Sequence, residues 1–240
     1  MKTPNKNILG LSHLFGEGRN ILASIEILQT NGFKLEFDGN FPVGTTKRDN
    51  LLHNKSCTTA QMFYLSAKET IPFGIEYLDH HSFQKQDSSR RISISAQSKS
   101  EIRITDADGN MIHLSPQNSK TTKLSVPVFK AQIAKQILES LGFIKITENL
   151  LIHSHPLFQK LAVEIELTEI PAHSFSTVMD EVGLNGISLL VRNLDDIKSL
   201  VALTGEQEII VPGINDKRRV GFYSDHGLML EFLEITPGKR

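Results

Sequence analysis

Hydrophobic and polar positions along this chain follow two periods, and the switch between them recurs. Residues 8–16 form a short apolar stretch that predicts a strand. Ile21, Ile25 and Leu28 then recur at helical spacing, which predicts an amphipathic helix capped by Asn20 and ended by Asn31-Gly32. Residues 34–37 alternate with a period of two, and residues 59–66 and 73–80 predict two further strands. Residues 41–57 have no period and are rich in Gly, Thr, Lys and Asn. They read as a long loop, of the kind that often forms a lid.

The same order restarts further along. Residues 123–129 predict a strand, and 132–140 a helix with Ile133, Ile137, Leu138 and Leu141 on one stripe. Strands follow near 144–152 and 161–170. Leu141-Gly142-Phe143 mirrors Asn31-Gly32-Phe33. The unit recurs as a strand at 186–192, a helix over 194–203 capped by Asn193, and strands near 208–211, 219–223 and 228–235. A further copy between about 91 and 114 keeps its strands and lacks the helix. One such unit cannot bury both its sheet face and its helix. Units therefore pair, each pair making a curved sheet with helices outside and a cavity within. The expected class is α+β, tandem βαβββ modules in two open-barrel sheets. The polar stretch 115–122, with Pro116, is the expected linker between domains 1–116 and 123–240.

Two strand endings about 118 residues apart carry the repeat most plainly. Ile104-Thr-Asp-Ala-Asp-Gly-Asn-Met-Ile-His-Leu114 and Phe222-Tyr-Ser-Asp-His-Gly-Leu-Met-Leu-Glu-Phe232 each join two apolar runs through an Asp-x-Gly turn. Four positions beyond each Gly stands a residue able to bind a metal, His113 in one and Glu231 in the other.

Composition narrows the remaining chemistry. Net charge is −1 with Lys and Arg dispersed, so no nucleic-acid footprint is expected, and Lys217-Arg218-Arg219 reads as a solvated strand edge. No apolar run is long enough to span a bilayer. One cysteine, Cys57, excludes an intrachain disulfide and fits a reducing compartment, making the cytoplasm the expected location. Cys57 has no activating neighbour in sequence and reads as an ordinary thiol. His80 and His81 point to opposite faces of a strand and cannot share a metal there. His153-Ser-His155, beside Pro156, reads as an exposed turn. Asp106 and Asp108 flank a turn glycine and are explained by turn chemistry. No phosphate loop, Gly-x-Ser-x-Gly elbow or Cys-x-x-Cys pair is present.

With the βαβββ repeat in hand, the sequence resembles the vicinal oxygen chelate superfamily, which includes glyoxalase I, extradiol dioxygenases and bleomycin resistance proteins. The resemblance rests on Gly186-Ile-Ser-Leu-Leu-Val-Arg-Asn-Leu-Asp-Asp196, on the closing strand through Glu231, on Asp106 to His113, and on Gly10-Leu-Ser-His13 with the helix after it. It covers most of both halves and leaves out residues 41–57 and the shortened unit. The resemblance implies a divalent metal (Fe, Ni, Mn or Zn) held by residues from four strands. In the N-terminal half those positions carry His13, Glu76, a residue near Arg91, and His113. In the C-terminal half they carry about Val126, Glu166, Gly186 and Glu231, without a nitrogen ligand.

The implied metal set is therefore His13, Glu76 and His113, with Arg91 standing against it as a cation at the fourth position. Glu231 is the carboxylate expected to move a proton. The plainer readings are a hydrogen-bonded strand histidine for His13 and a solvated strand residue for Glu231. Three functions stay open: a metal-dependent lyase, isomerase or dioxygenase acting on a small oxygenated molecule; a metal-free protein that sequesters a small molecule; and an interaction module whose apolar strand edges support a homodimer.

Overall fold

The structure is a computed structural model that describes residues 7–67, 71–82, 85–116, 121–154, 162–171, 178–211 and 216–235. The first unit runs β1 (Ile8–Glu17), α1 (Ile21–Thr30), β2 (Lys34–Pro42), α2 (Thr45–Leu51), β3 (Thr59–Ala67) and β4 (Ile71–Asp79). The second keeps only β5 (Ser93–Gln97), β6 (Ile102–Thr105) and β7 (Met111–Ser115). The third is β8 (Thr122–Val128), α3 (Ala131–Ser140), β9 (Ile144–Lys145), β10 (Leu150–His153) and β11 (Val163–Glu169). The fourth is β12 (Gly183–Val191), α4 (Leu194–Lys198), β13 (Gly205–Val211), β14 (Asp216–Asp225) and β15 (Leu228–Glu234). The architecture is α+β, with two mixed, curved sheets.

The pairing of units crosses the expected boundary between halves. One sheet has the order β13-β14-β15-β12-β1-β4-β3-β2, so it joins the first unit to the fourth. The other has the order β6-β7-β5-β8-β11-β10-β9 and joins the second unit to the third. The seam of the larger sheet is β1 against β12, antiparallel from Ile8↔Val191 to Glu17↔Gly183. Burial explains the choice. Leu184, Ile187, Leu189 and Val191 on β12 match Ile8, Leu11 and Leu14 on β1, and all are buried. Burying each such side chain contributes about 1.5–3 kcal/mol.

One apolar core runs between the two sheets and under α1, α3 and α4. A second, smaller core lies inside the larger sheet, where Phe15, Val220, Phe222 and Met229 meet Leu51 and Leu52. Polar groups lock the sheets together. Leu184 N–H donates to Asn110 Oδ1 at 2.7 Å, and the Tyr77 hydroxyl donates to Asp106. Asp106 also accepts from the Asp108 and Asn110 amides, which is the turn role expected of it.

Several local expectations change. The 41–57 segment is not a bare loop: β2 extends through Phe41 and Pro42, and α2 forms next to it. Thr46 Oγ1 donates to the Glu206 carbonyl and Gln207 Oε1 accepts from the Lys47 amide, which fastens α2 across β13. Helix α4 stops at Lys198 rather than at residue 203, although Asn193 caps it by accepting from the Asp195 amide. The Asn20 side chain makes no cap on α1. Asp108, from the second unit, accepts from the Arg19 and Asn20 amides instead. His153 is buried, not in an exposed turn, because alternation along β10 turns it inward onto Phe143, with ring centroids 5.0 Å apart. His155 lies outside the described residues. Lys217-Arg218-Arg219 lies on β14, which is not an edge strand, and Arg219 pairs with Asp195, Glu206 and Glu234.

Candidate functional site

The cup of the larger sheet opens beside β1, and its chemistry begins with a fault in that strand. Between Leu11 and His13 the pairing with β12 slips by one residue. A bulge of this kind re-aims side chains, and here both Ser12 and His13 line the same cavity. Ser12 Oγ lies 3.0 Å from His13 Nδ1, which fixes the ring and leaves Nε2 facing inward. Glu76 comes from β4, the strand parallel to β1. Glu231 comes from β15 at the same place in the fourth unit, paired in register with Ser188 of β12. His13 in turn faces Ser188 across the seam.

Three side chains therefore meet on one ring nitrogen. His13 Nε2 lies 3.6 Å from Glu76 Oε2 and 3.6 Å from Glu231 Oε1. His13 and Glu76 are each only 7% exposed, so the charges interact through little water. Ser188 Oγ donates to Glu231 Oε1 at 2.7 Å. Burial pushes the Glu76 carboxyl above its ordinary range; His13 opposes that shift and the Glu231 charge adds to it. Tyr64, on β3 directly opposite Glu76, stands edge-on to His13 with centroids 6.0 Å apart. Its phenol is also raised, first by burial and then by Glu76 and Glu36. Gly74 makes this possible, because a Cβ there would come within 2.2 Å of the Tyr64 ring.

The cavity these groups line is about 380 Å³. Phe41, Met62, Ile209, Val220 and Phe222 give it apolar walls, and Lys47 of α2 enters from the rim. The Lys47 ammonium sits 5.3 Å over the Phe41 ring.

Of the residues expected at the site, the structure brings His13, Glu76 and Glu231 together. It does not bring His113. His113 lies on β7 in the other sheet, paired with Arg103 and Ser95, and its Nε2 is 3.4 Å from Glu101. The expected set of two histidines and one carboxylate is thus replaced by one histidine and two carboxylates. Arg91 is not in the cup either; it pairs with Asp87 and packs on Gly183. Glu166, at the matching place on β11, is paired with Lys123 and Ser125. The sequence carried a hint of this grouping. The N-terminal half had a cation at its fourth position and the C-terminal half had no nitrogen ligand, and pairing of the first unit with the fourth sets His13 beside two carboxylates.

Lys47 was missed because α2 interrupts the repeat and no periodicity marks it. Of the other titratable groups, His80 is buried with Nδ1 2.7 Å from Glu17, and His81 pairs with Asp79 at the surface. Cys57 is buried, and burial pushes its thiol up, as befits an unreactive cysteine. Among the described residues no helix is long and apolar enough to cross a membrane.

No family model matches the chain, and no curated protein does. Solved structures do resemble it. The cppA protein from Streptococcus pneumoniae TIGR4 is 11% identical, with 95% of this chain and 100% of that chain covered and a TM-score of 0.46. A mutant 4-hydroxymandelate synthase from Streptomyces coelicolor is 11% identical over 99% of this chain and 94% of that one, with a TM-score of 0.30. A xylose isomerase-like TIM barrel/4-hydroxyphenylpyruvate dioxygenase fusion protein is 9% identical, over 99% of this chain and 51% of its own, with a TM-score of 0.32. The first, third and fourth units have the βαβββ order, and the units pair into two curved sheets.

Proposed function

We propose that this protein acts on a small oxygenated molecule in the cup of the larger sheet, at a divalent cation held by His13, Glu76 and Glu231. The observation that carries the reading is the convergence of both carboxylates on His13 Nε2, each at 3.6 Å. Two carboxylates and one imidazole form a donor set suited to Mn²⁺, Fe²⁺ or Zn²⁺. Among the described residues no three His, Cys, Asp or Glu side chains stand close enough, as placed, to hold a metal ion. Donors sharing one ion at ~2.1 Å would lie roughly 3.0–3.4 Å apart, closer than the 3.6 Å from each carboxylate to His13 Nε2, so binding requires the side chains to move inward. Two groups behind the donors favour that closure: Ser12 orients His13, and Ser188 orients Glu231.

When bound, the cation would polarise substrate oxygens as a Lewis acid. The protein's own groups do the rest. Phe41, Val220 and Phe222 exclude water from the reacting atoms. With His13, Glu76 and Glu231 holding the cation, Tyr64 on the cavity wall keeps a hydroxyl able to exchange a proton with the substrate. The set contains one histidine, which favours proton-transfer chemistry over the two-histidine, one-carboxylate pattern of Fe(II) oxygenases.

Elemental analysis of protein loaded with Mn²⁺ and desalted tests the reading. About one metal per chain is expected, together with a melting temperature raised by Mn²⁺ and returned by EDTA. A saturating cation at 100 times its Kd adds about 2.7 kcal/mol. If no metal is retained and no shift occurs, the cup is a metal-free binding pocket.

A further inference from the structure

Lys47 is the cup's remaining charged group whose partner is not a carboxylate. It is only 5% exposed, it lines the cavity, and its ammonium lies over the Phe41 face. A buried lysine is costly to desolvate, and a cation–π contact offsets only part of that cost. Among the described residues no carboxylate stands at ion-pairing distance from it. Glu36, the other acid on the cavity wall, is already matched by Lys34 at 2.8 Å and by Ser66. Helix α2 does not let Lys47 drift, because its amide is bonded to Gln207 and Leu51 is buried in the inner core. One divalent cation would balance Glu76 and Glu231, leaving Lys47 as excess positive charge in an otherwise apolar wall.

We propose that Lys47 makes this cup selective for a small carboxylate on an apolar body, with the anionic end at Lys47 and the body against Phe41, Met62 and Phe222. The proposal rests on the reading of this cavity as the binding site. A bound cation strengthens the preference by balancing Glu76 and Glu231, and without it Lys47 still stands over Phe41, beyond ion-pairing distance of either carboxylate. Lys47 is here a specificity-determining residue, set on the rim by an insertion in the repeat.

The test uses 2-naphthoate and 2-naphthamide, two probes of one shape that differ in charge, followed by naphthalene fluorescence on the full chain. Titrations are run with Mn²⁺ and with EDTA. Wild type should bind naphthoate at least about tenfold more tightly than naphthamide. Lys47→Gln should erase that preference and leave naphthamide binding unchanged, which also shows that the cup is intact. Lys47→Arg should keep it, and Lys47→Met gives a second neutral variant should the Gln protein not fold. The proposal is overturned if wild type shows no preference, if neither probe saturates below ~1 mM, or if the neutral variants keep the preference because the carboxylate sits elsewhere. A preference that persists in EDTA and vanishes in Lys47→Gln upholds Lys47 even where the cation reading fails. Retained Mn²⁺ without any charge preference does the reverse.

Discussion

At the scale of single residues, the site is a set of charges held in an unfavourable place. Glu76 is buried beside a second carboxylate, and its carboxyl is raised above the ordinary value of 4.5. An acid with a raised folded-state value binds its proton more tightly when folded than when unfolded. Its contribution to stability is therefore fully present below pH 4.5 and is lost as pH rises through the raised value. Glu76→Gln should consequently raise the melting temperature of the metal-free protein at neutral pH, by about 2–4 °C for each kcal/mol relieved. The gain over wild type should shrink on acidification, and thermal melts at neutral and at acidic pH check both. The same substitution should lower affinity for a cation. Gly74 offers a second check. Gly74→Ala would drive a methyl into the Tyr64 ring, and overpacking of this kind costs about 1–3 kcal/mol. A denaturant midpoint equal to wild type would show that the Tyr64–His13 arrangement is not held by Gly74.

At the scale of elements, the structure hands local tasks to distant parts of the chain. The entry to helix α1 is anchored by Asp108 of the second unit, whose carboxylate receives the Arg19 and Asn20 amides and the Ser24 hydroxyl. Asp108→Ala should therefore cost about 1–3 kcal/mol by leaving these part-buried donors unpaired, while Asn20→Ala should cost much less. Chemical denaturation of the two variants separates these outcomes. Sequence periodicity reached most strands and helices α1, α3 and α4 because each buries one face. It did not reach the role of Asp108, which looks like ordinary turn chemistry until the fold brings the start of α1 to it. Helix α2 was equally hidden. Its seven residues, Thr45–Leu51, carry a single buried apolar side chain, Leu51, and are held by Gln207 and Glu206 from the fourth unit.

At the scale of the whole molecule, the decisive feature is which units pair. Adjacent units were expected to form one sheet each, and instead the first pairs with the fourth and the second with the third. The unit pattern was legible because period and turn signals are local. The pairing was not, because the seam strands β1, β5, β8 and β12 each carry buried apolar side chains that any of the others could cover. One consequence is testable with fragments. Residues 1–116 alone would leave β1 without β12 and β5 without β8, exposing both seams. That fragment should lack cooperative melting, and it should fold only when 123–240 is supplied. The candidate site depends on the same pairing, since His13 and Glu76 come from one end of the chain and Glu231 from the other. Manganese binding followed by EPR in wild type and in His13→Ala, Glu231→Gln and His113→Ala proteins tests this most directly. One bound Mn²⁺ is expected in wild type and His113→Ala, and loss of binding in His13→Ala and Glu231→Gln. Binding lost in His113→Ala but kept in Glu231→Gln would contradict it.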